Sequence, residues 1–531
     1  NMGLYRGGTD ILRFVTAGAD RLQISADGSI STPTLGTSNV RLGVNAGNSI
    51  ASGGNYNVTI GDEAGTAITT GDSNVAVGYE AAKSLSTGAN NTLIGGLAGD
   101  AITTGTRNTS VGYASLGATT TGVDNVAVGY QSLDANTTAN NNTGIGRDAL
   151  SATITGSGNT GVGAYALQLN TTGADNVSIG RNSLYSNTTA SNNTAVGYNA
   201  LTANTTGANN TAVGGLSLDA NTDGHSNAAL GYASLSANTT GDYNTGLGFA
   251  SLNASTTASN NTAVGYYALY TNTTASSNTA VGDSALTATT TGAENTAVGR
   301  NALSSLTTST RNTAFGYYAG GAITTGQRNI CIGALAGRSG TGNMDTEEDN
   351  IIIGNDGGQN ASNNRNIAIG QQTNINGHND AIVIGYNVDS VSNSHFTFGK
   401  DDGANRVYNS YTANASWTRI SDERYKKEIQ NNTDCGLDFI NELRPVTFKF
   451  KAPSELDSNL PDYDASNDTA TYEKKMYGLI AQEVKQAMAS HNITDFGGHD
   501  EIEDSGIQAI SQEMFVHPLI KAVQELSAQV T

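Results

Sequence analysis

A five-residue unit recurs every 17 residues through the middle of this chain. Each copy begins with Asn, continues with a β-branched or small residue, a usually small residue and an apolar residue, and ends with Gly. With the asparagine as position 1 of each repeat, the seventeen copies start at Asn57, Asn74, Asn91, Asn108, Asn125, Asn142, Asn159, Asn176, Asn193, Asn210, Asn227, Asn244, Asn261, Asn278, Asn295, Asn312 and Asn329. Weaker copies extend the array to about residues 39–399. A repeat this short cannot bury its own apolar side chains, so the pattern indicates a solenoid whose turns stack.

Apolar residues alternate within the unit, which predicts a strand, and the glycine after it marks a bend. Position 4 is apolar in all seventeen copies, and we expect it to form a buried column. Position 9 is Leu in twelve successive copies, from Leu116 to Leu303, and predicts a second buried column on a second strand. The prediction is a mainly β fold with a parallel β-solenoid shaft, roughly 80 Å long for seventeen turns at about 4.8 Å per strand.

Two departures from the repeat carry their own interpretations. Gly65, Gly99 and Gly320 replace the leucine of position 9, and these turns resemble tapering or capping turns. The step also lengthens to 21 residues before Asn350, which inserts an acidic run at residues 345–349. Clustered carboxylates suit calcium, but the alternating aspartates of a calcium loop are missing, so a solvated bulge is favoured.

The composition excludes several classes of protein. The formal net charge is −20, which disfavours nucleic acid and anionic membrane surfaces as partners. We expect no membrane insertion, because the sequence contains neither 18 consecutive apolar residues nor a signal peptide at its start. The six histidines and the two cysteines, Cys331 and Cys435, lack metal-ligand spacing, so no metal site, cofactor or disulfide framework is predicted.

Composition changes at Ser421, after which 30 of 111 residues are charged, against 42 of the preceding 420. We therefore divide the chain into four segments. They are an N-terminal fibre segment (1–38) that we expect to continue upstream, the shaft (39–399), a connector (400–420) and a small α+β domain (421–531).

Mixed periodicity supports the α+β assignment of the last segment. Residues 436–443 and 479–490 have helical spacing, and residues 446–450 alternate as a strand. Apolar residues with the 3-4-3-4 spacing of a coiled-coil seam follow near the end, at Val516, Leu519, Val523, Leu526 and Val530. Because so short a helix is marginal alone, we expect partner chains to stabilise it as a trimeric coiled coil, with docking on its own domain as the alternative.

Four motifs in this segment carry a resemblance to a known family. In order they are SDERYKKEI (421–429), LRPVTFKF (443–450), YGLIAQEV (477–484) and PLIKAVQEL (518–526). They resemble the C-terminal intramolecular chaperone and auto-processing domain of bacteriophage tailspikes, tail fibres and neck appendages. The resemblance implies a domain that trimerises, assists folding of the preceding β-structured fibre, and then cleaves itself off. The shaft unit is also similar to the repeat of trimeric adhesin heads, which form homotrimeric β-rolls.

The same resemblance implies a nucleophile, Ser421, and a base, Lys426. A lysine acts as a base only if burial or a neighbouring cation lowers its pKa, and Lys427 and Arg424 are close enough in sequence to contribute. Attack on the preceding carbonyl breaks the Ile420–Ser421 bond, which we favour; cleavage between Ser421 and Asp422 is the alternative. Five residues do not place two side chains together on one helix, so a turn or a neighbouring subunit must bring the base to the serine.

Further candidate residues are less specific. Gly478, Gln482 and Glu483 match the family's G-x-x-A-Q-E stretch, and Gln482 either orients the scissile carbonyl or is a buried structural amide. A column of aromatic residues follows the repeat glycine, and it offers either platforms for sugars or packing over the turns. It contains Tyr79, Tyr113, Tyr130, Tyr198, Tyr232, Phe249, Tyr266 and Tyr317.

These observations predict a homotrimeric bacteriophage tail fibre or tailspike that attaches to its host. Its expected partners are a host cell-surface receptor, with polysaccharide as a candidate, and other tail proteins of the virion. We expect it to reside in the virion tail after assembly in the bacterial host cytoplasm. One alternative is a bacterial trimeric adhesin, which needs a C-terminal outer-membrane barrel. Another is a polysaccharide-degrading tailspike, which needs paired carboxylates in a cleft.

Overall fold

The computed structural model divides the chain into two compact units, Asn1–Ile420 and Ser421–Thr531. The structure describes residues 2–6, 12–16, 19–24, 30–32, 35–337, 344–401, 406–410, 418–419, 423, 426–458, 460, 463, 465–466, 468, 475–501 and 507–530. The first unit opens with a four-stranded antiparallel sheet in chain order. Its strands are β1 (Met2–Arg6), β2 (Leu12–Thr16), β3 (Ala19–Ile24) and β4 (Ile30–Ser31).

The rest of the first unit is a parallel β-solenoid of about 21 turns, which confirms the predicted fold class. Each strand pairs in register with the next; Val196, for example, lies opposite Val213. The strands are β5 (Val40–Leu42), β6 (Val58–Ile60), β7 (Val75–Val77), β8 (Thr92–Ile94), β9 (Thr109–Val111), β10 (Val126–Val128), β11 (Thr143–Ile145), β12 (Thr160–Val162), β13 (Val177–Ile179), β14 (Thr194–Val196), β15 (Thr211–Val213), β16 (Ala228–Leu230), β17 (Thr245–Leu247), β18 (Thr262–Val264), β19 (Thr279–Val281), β20 (Thr296–Val298), β21 (Thr313–Phe315), β22 (Ile330–Ile332), β23 (Ile351–Ile353), β24 (Ile367–Ile369), β25 (Ile382–Tyr386) and β26 (His395–Lys400). Two antiparallel strands, β27 (Arg406–Ser410) and β28 (Thr418–Arg419), follow.

The prediction that position 4 forms a buried column is wrong. Positions 1 and 3 of each turn point inward, so Asn193 and Ala195 are fully buried, whereas position 4 faces outward. Leu230 and Phe315, both at position 4, are 47% and 43% exposed. Alternation along a strand puts positions 1 and 3 on one face and positions 2 and 4 on the other, and the buried asparagines decide which face is the core. The aliphatic column therefore lies on the surface of the single chain.

Buried asparagines form a continuous hydrogen-bonded ladder along the solenoid. The side-chain oxygen of Asn193 accepts a hydrogen bond from the backbone N–H of Asn210 at 2.9 Å. Its amide nitrogen donates to the carbonyl of Gly207, also at 2.9 Å. Both ends of the buried amide are thereby satisfied, which removes most of the cost of burying it.

The second predicted column is buried, but it does not lie on a second strand. Each repeat of the regular array contains one three-residue strand, and the leucine of position 9 lies in the turn that follows. Leu201 is fully buried with a φ of 50°, in the left-handed region. That conformation costs a non-glycine residue roughly 1–2 kcal/mol, which burial of a leucine side chain, at about 1.5–3 kcal/mol, offsets.

The glycine at position 5 is required by the close stacking of the turns. Gly197 has a φ of 141°, which side-chain-bearing residues rarely adopt. A Cβ atom there would lie 2.5 Å from the carbonyl oxygen of Gly214 in the next turn. Backbone therefore packs directly on backbone at this bend.

The turns with glycine at position 9 are not tapering caps. A Cβ on Gly99 would lie 2.8 Å from the Cδ1 atom of Ile102, so isoleucine at position 12 fills the space that leucine fills elsewhere. Ile68 and Ile323 occupy the same position after Gly65 and Gly320, and all three isoleucines are fully buried. Leucine at position 9 and isoleucine at position 12 are thus alternative ways of filling one core site.

The second unit is the predicted mixture of helices and strands. Its elements are α1 (Leu437–Glu442), β29 (Val446–Phe448), β30 (Met476–Gly478), α2 (Ala481–Ser490), β31 (His499–Glu501), β32 (Gln508–Ile510) and α3 (Val516–Val530), with short 3₁₀ helices at Pro453–Glu455 and Gln512–Phe515. Strands β29 and β30 form one antiparallel pair, and β31 and β32 form another. The three predicted helices and the predicted strand are present, the strand two residues shorter than expected.

The exchange between positions 9 and 12 predicts a compensating pair of substitutions. We expect Leu116→Gly alone to destabilise the shaft by about 2–5 kcal/mol, because it empties a fully buried site. Adding Thr119→Ile should recover most of that loss, since it recreates the Gly99 and Ile102 arrangement. Guanidinium unfolding of the single and double variants, analysed as a double-mutant cycle, measures the coupling. Additive effects would contradict this explanation.

Candidate functional site

An aromatic core holds together the elements of the C-terminal unit. Phe439 of α1 is 1% exposed and packs against Val484 and Met488 of α2. Its ring lies 5.6 Å from that of Phe496, edge to face, and the ring of Phe496 lies 5.0 Å from that of Phe515. This cluster fixes α2, which carries part of the family motif, relative to α1 and to the 3₁₀ helix that precedes α3.

Helix α3 is tethered to α1 by one carboxylate. Glu525 accepts a hydrogen bond from the backbone N–H of Leu437, the first residue of α1, at 2.7 Å. Lys521 lies 3.1 Å from the same carboxylate. The backbone hydrogen bond, followed by the lysine, holds the pKa of Glu525 below its ordinary value. A negative charge at a helix N-terminus also satisfies donors that the helix itself cannot.

Two motif residues have structural partners. Arg444 donates through Nε to Glu483 at 3.1 Å, and a second nitrogen of its guanidinium contacts the other carboxylate oxygen. This hydrogen bonding lowers the pKa of Glu483. Gly478 pairs with Val446 across the β29–β30 ladder, and a Cβ atom there would meet Gln512 and the ring of Phe448 at 3.2 Å.

The remaining predicted residues are divided between described and undescribed parts of the chain. Gln482 is exposed, so its interpretation as a buried structural amide is wrong for the single chain. Lys426 is also exposed, and its backbone N–H donates to the carbonyl of Glu423 at 3.0 Å. Four predicted residues lie outside the described residues: Ile420, Ser421, Asp422 and Arg424. The pairing of serine and lysine therefore stays a prediction.

Comparison with known protein families gives a match for the C-terminal unit. Residues 421–493 match a family model that bears a peptidase name and is described as "chaperone of endosialidase". The match spans 73 of 531 residues and includes the first three of the four motifs. Together with the β-solenoid it fits a tail fibre or tailspike with a C-terminal chaperone domain. No curated protein and no solved structure shows significant similarity to the chain.

Sequence reasoning missed two contacts in the chaperone domain. The Arg444–Glu483 pair joins two of the four motifs, so their charged residues were the available signal. The Glu525 tether joins residues 88 apart and leaves no local pattern. The predicted seam also omitted Ile520, an apolar residue of α3 that is half exposed beside it.

The predicted seam residues of α3 project from the chaperone domain. Side chains on this face are 50–81% exposed, at Val516, Leu519, Val523, Leu526 and Val530. By contrast, Pro518 and Ala522 are buried. An apolar helix face left open in the single chain is a typical helix-association surface.

The aromatic residues at position 6 of the shaft are 43–56% exposed. Several stack face to face between successive turns; the rings of Tyr113 and Tyr130 lie 5.7 Å apart at 14°. The column is therefore a surface feature in which neighbouring rings pack on each other.

The described residues offer no metal-binding group of three or more His, Cys, Asp or Glu side chains. In the acidic insertion, Glu348 and Asp349 form ion pairs with Arg328 at 2.7 and 2.6 Å. Among the described helices, none has the length and apolarity needed to cross a membrane.

The Glu525 tether predicts a pH dependence. Because its pKa is lower in the folded than in the unfolded state, its contribution to stability is complete above about pH 4.5 and is lost as pH falls through the folded-state value. We expect Glu525→Gln to lower hydrogen-exchange protection of α1 at neutral pH by about threefold or more. The variant should also lose this acid sensitivity.

Hydrogen exchange of the full chain, followed by mass spectrometry and corrected for intrinsic rates, makes the measurement. Glu513→Gln is the matched control, because Glu513 is exposed in the neighbouring 3₁₀ helix. Equal protection of α1 in both variants would show that the tether contributes nothing.

Proposed function

We propose that this protein is a homotrimeric viral tail fibre or tailspike that attaches to a bacterial host. In this proposal the chaperone domain trimerises, assists folding of the shaft and then cleaves itself off at Ser421. One observation carries the proposal: the residues that follow the long β-solenoid and its connector match the chaperone of endosialidase. Host receptor binding, contacts with other tail proteins, residence in the virion tail and assembly in the host cytoplasm belong to the same proposal.

Two exposed apolar surfaces support association of three chains. The first is the outward column at position 4, where parallel strands bring aliphatic side chains about 4.8 Å apart along the shaft. Such a column, continuous from Ile60 to Ile384, is unusual for a surface that meets only water. The second is the open seam of α3. Association of three copies would bury the column within the shaft and the seam within the chaperone domain.

The proposed cleavage is an acyl shift followed by hydrolysis. Lys426, when neutral, takes the proton of the Ser421 hydroxyl while its oxygen attacks the carbonyl carbon of Ile420 through a five-membered ring. The C–N bond then breaks, the serine nitrogen takes the proton, and an ester joins the two parts. Water hydrolyses the ester, which frees the carboxylate of Ile420 and leaves serine as a new N-terminus. Because Lys426 is exposed in the single chain, a neighbouring subunit is the proposed source of the burial that a lysine base needs.

Intact-mass spectrometry of the expressed chain tests the cleavage. We expect a released fragment beginning at Ser421, and its absence from Ser421→Ala and Lys426→Ala. Lys449→Ala is the matched control, because it removes an exposed lysine elsewhere in the same domain and should leave cleavage unchanged. Release of the same fragment from Ser421→Ala would refute the assignment. An intact trimer in every variant would leave the domain as a permanent trimerisation cap without protease activity.

A charge in the aliphatic column tests the trimer. Leu230→Asp should leave the shaft of the single chain folded but abolish or greatly weaken trimerisation. Association would bury an unpaired carboxylate, at a cost of several kcal/mol. Thr240→Asp, at an exposed position away from the column, is the control. Mass photometry and native mass spectrometry report the oligomer. A Leu230→Asp trimer as stable as the wild type would place the column outside the subunit interface.

A further inference from the structure

One surface of the shaft, built from positions 6, 7 and 10, concentrates its aromatic residues. We call it the turn face. The ring of Tyr266 at position 6 lies 4.1 Å from that of Tyr267 at position 7. That ring in turn lies 4.6 Å from Tyr270 at position 10. These contacts show that side chains from the three positions adjoin one another.

Stacks of rings on the turn face end at glycines. Tyr232, Phe249 and Tyr266 stack in successive turns, with ring centroids 5.6 and 5.5 Å apart. The turn before Tyr232 carries Gly215 at position 6, and the turn before that carries Tyr198. The second case is the same: the stack of Tyr113 and Tyr130 ends at Gly96, beyond which lies Tyr79. Position 6 is glycine only in these two of the seventeen regular turns.

Backbone geometry does not require glycine at either place. Neither Gly96 nor Gly215 has a left-handed φ. A Cβ atom on Gly215 would lie 3.5 Å from the nearest ring atom of Tyr232, an ordinary contact, and 3.9 Å from the carbonyl of Tyr198. The corresponding distances at Gly96 are also 3.5 and 3.9 Å. Each glycine leaves one face of the neighbouring ring, Tyr232 or Tyr113, without a position-6 side chain over it.

The two glycine turns share two further residues. Both read Gly-Leu-x-x-Asp, with Leu216 and Asp219 in one turn and Leu97 and Asp100 in the other. Leu216 is half buried at position 7, which adjoins position 6 on the turn face. Each gap thus has an aromatic ring in the turn on either side, and a leucine and a carboxylate in its own turn.

The carboxylates belong to the same surface. Asp219 and Asp100 occupy position 10, one of the three adjoining positions of the turn face. Asp219 accepts a hydrogen bond from the hydroxyl of Ser236 at 2.6 Å. Partial desolvation raises the pKa of both aspartates. A partly desolvated carboxylate is a strong acceptor for a ligand hydroxyl.

We propose that the gaps at Tyr198–Gly215–Tyr232 and Tyr79–Gly96–Tyr113 each bind one sugar ring of a neutral polysaccharide. This inference rests on the proposed host-attachment function and names its ligand class and its sites. The rings flanking each glycine are two turns apart, and rings in successive turns of an unbroken stack lie 5.5–5.7 Å apart. Each gap is therefore about the size of one six-membered ring. A pyranose ring would place its C–H faces against the two aromatic rings and its hydroxyls toward the carboxylate.

Charge, rather than shape, separates the candidate ligands. A planar ring also fits between rings two turns apart, as Phe249 does between Tyr232 and Tyr266. Nucleic acids and acidic polysaccharides are repelled by the carboxylates at the gaps and by the net charge of −20. A neutral polysaccharide has the apolar C–H faces and the hydroxyl donors that these gaps match.

The spacing of the two gaps suits a long, repetitive ligand. Gly96 and Gly215 lie 119 residues, or seven repeats of 17, apart. Seven turns correspond to about 34 Å along the shaft. In the proposed trimer the sites number six, so weak single sites would add to a firm attachment through avidity.

Filling the gaps with the side chain that position 6 carries elsewhere tests the proposal. The variant Gly96→Tyr/Gly215→Tyr extends existing stacks, so the fold is expected to accept it while the gaps close. Ala164→Tyr is the matched control, because it adds a ring at position 6 between Arg147 and Arg181 and closes no gap. Biolayer interferometry of the trimer on immobilised neutral glucans, galactans, mannans and rhamnans measures binding, with alginate and heparin as acidic counterparts.

We expect the wild type and Ala164→Tyr to bind at least one neutral polysaccharide equally. The double variant should lose about 100-fold or more in apparent affinity, because all sites close together. Binding to none of the neutral polysaccharides, binding to the acidic ones alone, or equal binding by the double variant would overturn the proposal. Native mass spectrometry of the same samples reports the trimer separately. If the wild type forms no trimer, the fibre assignment is refuted. If the wild type is an intact trimer that binds none of the sugars, only this inference is refuted.

Discussion

The shaft depends on the in-register stacking of buried asparagines. Each side-chain oxygen accepts from the backbone of the next turn and each amide donates to a carbonyl of its own turn, as between Asn193, Asn210 and Gly207. A buried amide left unpaired would cost about 1–3 kcal/mol, so a turn that shifts by one residue loses two satisfied groups at once. The ladder therefore fixes the register and, with it, the inward direction of position 3 and the outward direction of position 4.

This ladder also explains where sequence reasoning succeeded and where it failed. The period, the strand at positions 2–4, the bend at the glycine and the buried leucine column all follow from apolar spacing and turn chemistry. The inward face of the strand did not, because hydrophobicity favours the aliphatic residue of position 4 over the asparagine of position 1. Position 1 is Asn in all seventeen copies, whereas position 2 varies. That internal constancy was the signal that position 1 meets a fixed environment. The left-handed turn at Leu201 had no local signal, since a leucine accepts it only when burial offsets the strain.

In the chaperone domain, motifs predicted more than spacing did. The helices, one strand and the apolar seam of α3 were readable from periodicity, and the family resemblance supplied the candidate serine and lysine. The contacts that hold the domain together could not be predicted from the sequence. Glu525 contacts Leu437, which is 88 residues away, and Phe439 of α1 contacts Phe496, which lies after α2. Such pairings are set by tertiary packing, for which a single sequence offers no pattern.

The regularity of the shaft creates the problem that a chaperone domain would solve. Three chains of nearly identical turns can associate along position 4 with one chain displaced by a whole repeat and still bury almost the same aliphatic surface. Misaligned trimers would therefore differ little in energy from the aligned one and would separate slowly once formed. Alignment must come from outside the regular array. The uneven steps of the last turns, 21 residues before Asn350 and 16 before Asn366, supply part of it. In the proposed assembly a trimerising domain beyond them would supply the rest, because it would hold three chains in alignment before the uniform turns begin to pair. Once the turns are stacked, the buried ladder holds the turns of each chain in register, so in this proposal the domain could be released without loss of the fold of the shaft.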